Sequence, residues 1–126
     1  MSTIKVDNIR IASESVSRPA TGVAAAWCFF QGTGTVAINN SLNVSSMTDN
    51  SVGTYNENFS SNMDSANYSI QIVSGRAATV TGDNQCAVYD NTQVPTASTY
   101  MIRTAGENFS GQDVARIYTT NHGDLA

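Results

Sequence analysis

Apolar residues in this chain recur at every second position in short runs, and the runs close on Gly, Asn, Asp or Ser. Val36 and Ile38 alternate, and Leu42 and Val44 follow. Tyr55 and Phe59 frame Asn56-Glu57-Asn58, and Tyr68, Ile70 and Ile72 share one phase. Val80 closes on Thr81, Cys86 and Val88 come next, then Tyr100, Ile102 and Thr104, and last Val114, Arg116 and Tyr118. A period of two is the mark of a half-buried strand. No stretch long enough for a helix repeats apolar residues at i, i+3, i+4 and i+7. The breaks Gly32-Thr33-Gly34, Asp49 to Gly53 and Gly82-Asp83-Asn84 supply residues that accept positive φ or cap a turn with a side-chain oxygen. Such spacing predicts an all-β domain, an antiparallel β-sandwich or barrel, with a jelly-roll-like sandwich as the expected form.

The start of the chain follows a different rhythm. Ile4 and Val6 alternate, but Ile9 and Ile11 resume in the opposite phase after Asp7-Asn8. A one-residue slip sends side chains to the other face, so two short extended pieces or a bulged strand are expected. Residues 13–22 read as a linker. The chain thus divides into an arm and linker, 1–22, and a β domain, 23–126. An arm carrying Ile4, Val6, Ile9 and Ile11 has no core of its own and needs a surface to dock on, either its own domain or a partner.

Composition narrows the function classes. At 126 residues and 13.3 kDa the chain is one domain. Charged residues are 13%, about half the usual share, while Ser, Thr and Asn fill a third of the positions. The regular aromatic spacing and low charge separate it from disordered chains. Net charge is −4 and Lys5 is the single lysine, so no basic stripe exists for a nucleic acid. The longest apolar run, Val23–Phe30, is far short of the ~20 residues of a membrane span. The N-terminus lacks an apolar signal core, which predicts synthesis in the cytoplasm.

Candidate chemistry is sparse. Cys28 and Cys86 lie in strand-like runs, where reduced, buried thiols are expected ahead of a bridge or a reactive site. His122, the only histidine, stands in a Gly-containing tail and reads as a solvated residue. Neither a catalytic set, a metal set, a phosphate loop nor a cofactor motif emerges. Glu57 is unusual because alternation puts it in phase with Tyr55 and Phe59. It reads either as an acid of raised pKa or, favoured here, as an edge, interface or Arg-paired residue. The aromatics Trp27, Tyr55, Tyr68, Tyr89, Tyr100 and Tyr118 could stack on sugar faces, but most fall on alternating strand positions, where core packing is expected first; Tyr89, which precedes a polar loop, is left open between the two. The polar segment Tyr89, Asp90, Asn91, Thr92 and Gln93 is the candidate surface-binding loop.

Several ordered motifs lie between Ala26 and Ile70: Trp27 in an aromatic run, Gly32–Ala37 (GTGTVA), Val44–Asn50 (VSSMTDN), Gly53 with Tyr55, and Met63 with Ala66–Tyr68. In this order they resemble a module of tail fibre proteins of tailed bacteriophages, as does the opening Ser2 to Ile9. Glu57 and Cys28 depart from the family pattern, and the segment after Arg76 is mostly unmatched. The resemblance implies a non-enzymatic virion structural protein, commonly a homotrimer. Its N-terminal part would attach to other virion proteins, and its distal loops would touch a host-surface glycan. Two alternatives stand beside it: a head, neck or tail decoration or adaptor protein, and a free-standing carbohydrate-binding module.

Overall fold

Residues 6–9, 18–19, 23–75, 86–106 and 109–126 are described by a computed structural model. Ten strands follow one another: β1 (Asn8–Ile9), β2 (Arg18–Pro19), β3 (Ala24–Gln31), β4 (Ala37–Leu42), β5 (Val44–Ser51), β6 (Thr54–Phe59), β7 (Ser69–Gly75), β8 (Cys86–Tyr89), β9 (Thr99–Ala105) and β10 (Arg116–His122). The described residues contain no helix. Eight of the strands form two antiparallel four-stranded sheets, ordered β4-β3-β10-β7 and β5-β6-β9-β8. The all-β expectation holds. The jelly-roll wiring does not follow from this order, because the β3–β4, β5–β6 and β8–β9 hairpins each stay within one sheet.

Alternation puts small and aromatic residues on the facing sides of the two sheets. Ala26, Cys28 and Phe30 of β3 and Ile117 of β10 meet Tyr55 and Phe59 of β6 and Tyr100 and Ile102 of β9 in one buried cluster. Fully burying side chains of this size stabilises by roughly 1.5–3 kcal/mol each. The rings interlock at edge-to-face angles: Phe30 meets Tyr55 at 5.4 Å and Phe59 meets Tyr68 at 5.5 Å.

The chain crosses from one sheet to the other at Asn43, the single residue between β4 and β5. Its φ of 56° lies in the left-handed region, which Asn tolerates better than most residues. Its side chain accepts from Ser61 N at 2.7 Å and donates to the Ser61 carbonyl at 3.1 Å, so the corner is held by the segment after β6. We expect Asn43→Ala to lower the unfolding free energy by about 2 kcal/mol, from two lost bonds and the loss of the amide that makes asparagine tolerant of the left-handed region. Denaturant melts of the two proteins would measure the difference.

Three expectations change. The inward residues of β10 are Ile117, Thr119 and Asn121, whereas Arg116 and Tyr118 point outward, so the phase read from Val114 is shifted by one. His122 closes β10 opposite Ser69, and Leu125 bridges Met63; the tail is part of the fold. Arg18–Pro19, inside the expected linker, pairs with Asn8–Ile9 in a small antiparallel ladder. Ile4, Ile11 and the run ending at Val80 and Thr81 lie outside the described residues.

Candidate functional site

Glu57 sits in the middle of β6, a central strand between β5 and β9, and is fully buried. The favoured reading of an edge or Arg-paired residue is therefore wrong. Across the core its Oε2 accepts from Thr119 Oγ1 at 2.6 Å and its Oε1 from Asn121 Nδ2 at 2.9 Å. Asn121 Nδ2 also reaches the Tyr100 hydroxyl at 3.4 Å. Burial pushes the Glu57 carboxyl up to about 7, and the bonds from Thr119, Tyr100 and Asn121 recover only part of that. Burial first, then the Glu57 charge, pushes the Cys28 thiol up to about 12, which makes it inert at neutral pH. Cys28 and Cys86 are both free, Cys28 buried and Cys86 half-buried.

Asn121 Oδ1 is buried with no hydrogen-bond partner among the described residues. Turning that amide over would set Oδ1 toward Glu57, where a protonated carboxyl can donate to it. A neutral acid suits this pocket better than a carboxylate. Glu57, sealed from solvent, can be a structural proton site but cannot reach a substrate.

The outer faces of the two sheets differ sharply. On the first, antiparallel register lines up Asn40, Phe29, Tyr118 and Val73 across four strands, with Leu42, Trp27, Thr120 and Gln71 in the next row. Phe29 and Tyr118 stack at 4.7 Å with ring planes 11° apart, and Val73 is 63% exposed. Trp27 and Tyr118 thus line an outer face and not the core, a correction to their expected place. Tyr55 and Tyr100 are buried as expected, and Tyr68 and Tyr89 pack against the core in part. None of the eight residues in these two rows is charged.

The outer face of the second sheet is a lattice of amides and hydroxyls. Asn50 Nδ2 donates to Asn56 Oδ1 at 2.6 Å, and Asn56 Nδ2 donates to Gln93 Oε1 at 2.8 Å. Asn58 Nδ2 reaches Ser46 Oγ at 3.1 Å and Thr48 Oγ1 at 3.0 Å. Part of the Asn, Ser and Thr surplus thus goes into side-chain bonds between strands.

The lattice leads into the Tyr89 to Gln93 loop. The Tyr89 hydroxyl donates to the Gln93 carbonyl at 2.7 Å, and Asp90 Oδ1 accepts from Thr92 N at 3.0 Å in an Asx turn. That bond and the nearby Arg103 hold the Asp90 carboxyl below its usual range. Asn91, Thr92 and Gln93 are exposed, but Asp90 is only 8% exposed and forms a wall, not a tip. A cleft of about 360 Å3 opens beside it, lined also by Arg103 of β9 and by Phe109. Arg103 and Phe109 had no sequence signal, because they belong to a later strand and loop. At the opposite end, Val6 and Asp7 of the arm meet Val23, Ala24 and Leu125 around a hollow of about 530 Å3. Comparison with protein-family models, with characterised proteins and with solved structures returned no match.

Proposed function

We propose that this chain is a virion structural protein, a tail-fibre-like module that self-associates as a homotrimer, joins the particle through its arm and contributes to host-surface recognition. The ordered motif set from Trp27 to Tyr68 carries the reading. Its residues sit at corners and packing points: Gly32–Ala37 links β3 to β4, Gly53 turns β5 into β6, Met63 bridges Leu125 and Tyr68 packs on Phe59. Such residues specify a scaffold, which is what a virion component needs.

The acid-free aromatic face supports self-association in particular. A chain of net charge −4 repels its own copies, so copies pack best through a face that carries no acid. Leu42, Trp27, Phe29, Tyr118 and Val73 provide such a face, and the second copy is its occupant in this reading. Phages purified by density gradient should contain the chain at a fixed copy number. Deleting residues 2–18 should leave a folded domain that no longer enters particles. A chain absent from purified particles defeats the proposal.

A further inference from the structure

The cleft beside the Asp90 turn carries a chemistry that neither the fold nor self-association uses. Asp90 Oδ2 lies 3.9 Å from Arg103 Nη1, too far for a direct hydrogen bond. A hydroxyl oxygen set to one side of that pair can lie about 2.8 Å from both atoms, donating to the carboxylate and accepting from the guanidinium at once. Both groups are held in place from behind. Thr92 N fixes Asp90 Oδ1, and Arg103 Nη2 donates to the Phe109 carbonyl at 3.1 Å.

Phe109 supplies the other wall. The residue is 77% exposed, and its φ of 55° is left-handed, a conformation that disfavours a bulky side chain. A bond from Phe109 N to the Gly106 carbonyl at 3.0 Å braces it there. An exposed aromatic residue in the same cleft as a carboxylate–guanidinium pair offers an apolar face and polar groups to one guest. Among the described residues that line the cleft, Asp90 and Arg103 are the charged ones, and their opposed charges largely cancel, which favours a neutral guest over an ionised one. Its volume of about 360 Å3 is at the small end of ligand sites.

We infer that this cleft binds a neutral pyranose, with one ring hydroxyl bridging Asp90 and Arg103 and the C–H face of the sugar on Phe109. This deepens the host-recognition part of the proposed function and rests on it only for the source of the sugar. Titration of the full chain with methyl glucopyranoside, galactopyranoside and mannopyranoside, followed by amide NMR, tests it, with N-acetylneuraminic acid as the ionised comparator. At least one neutral sugar should give saturable shifts at Asn91, Thr92 and Arg103, and the ionised sugar should bind more weakly. Asp90→Asn keeps the turn bond to Thr92 but loses the charged acceptor, and Phe109→Ala loses the ring. Each should weaken binding by about three- to tenfold or more, with the remaining spectrum unchanged, whereas Tyr118→Ala should leave affinity as it was. Absence of saturable shifts with every neutral sugar, shifts mapping elsewhere, or unaltered affinity in both cleft variants overturns the assignment. None of those results would alter the mass of the assembly or its presence in particles, so the two readings fail separately.

Discussion

Replacing Glu57 with Gln should abolish most of the protein's pH-dependent stability between pH 4.5 and 7. The folded carboxyl titrates near 7 against an ordinary value of 4.5, so in this interval the native state holds a proton that the unfolded chain has released. Stability therefore falls as pH rises, is greatest below 4.5 and levels off above 7. The shift corresponds to about 3 kcal/mol across the interval. The titratable neighbours are Cys28, Tyr68 and Tyr100, all pushed upward by burial first and the Glu57 charge second, so none supplies a compensating positive charge. Asp90, whose carboxyl is lowered, works in the other direction, and only at more acidic pH.

Glutamine carries no charge to bury, and its amide can donate to Thr119 Oγ1 or, with the Asn121 amide turned over, to Asn121 Oδ1. The gap between Glu57→Gln and wild type should move by about 3 kcal/mol in favour of the variant from pH 4.5 to pH 8. Glu57→Ala should instead lose about 3 kcal/mol at acidic pH, by leaving a cavity and two unpaired polar groups. Urea midpoints over that pH range would read both effects. Parallel profiles for wild type and Glu57→Gln would show that the buried acid is not the titrating group.

Gly53→Ala should be the other large loss. Gly53 turns β5 into β6 with φ of 69°, which already disfavours any Cβ by about 1–2 kcal/mol. A Cβ there would also run into the Thr104 carbonyl oxygen and the Gln112 backbone nitrogen, neither of which can swing away. The crowding has a reason. Gly53 N donates to Asp113 Oδ1 at 2.7 Å, the Tyr55 hydroxyl donates to the same oxygen at 2.8 Å, and Thr104 N donates to the Gly53 carbonyl at 2.8 Å. The turn, the core tyrosine and β9 are locked around one carboxylate. Overpacking adds about 1–3 kcal/mol to the backbone strain, for roughly 2–5 kcal/mol in total. Gly34 is a built-in control, since its φ of 68° is equally left-handed but nothing lies near the added Cβ. Gly34→Ala should cost only about 1–2 kcal/mol, and equal melting temperatures for the two variants would refute the steric argument.

Period-two alternation made β6, β7 and β9 legible, because Tyr55, Phe59, Ile70, Ile72, Tyr100 and Ile102 are large apolar residues on a repeating face. It misplaced β10. The inward residues there are Ile117, Thr119 and Asn121, of which two are polar, while the outward Tyr118 looks like core. A polar residue is buried in β10 because Glu57 faces it from β6, and no local pattern reports a partner more than sixty residues away. Glu57 itself was visible as an anomaly in phase, but its partners were not. The Asp90 loop was legible from its turn residues, whereas its cleft depends on Arg103 and Phe109, brought alongside by the β8–β9 pairing and the loop that follows. Cross-strand register decides these sites, and register is a property of two segments at once.

Self-association through the acid-free aromatic face is what the proposed assembly rests on. Light scattering after size exclusion, at two protein concentrations, measures it directly. The expected mass is three times the 13.3 kDa chain at both concentrations, and Tyr118→Asp, which places an acid in the center of that face, should reduce it to the single chain. A wild-type mass of 13.3 kDa at both concentrations would contradict the assembly proposed here.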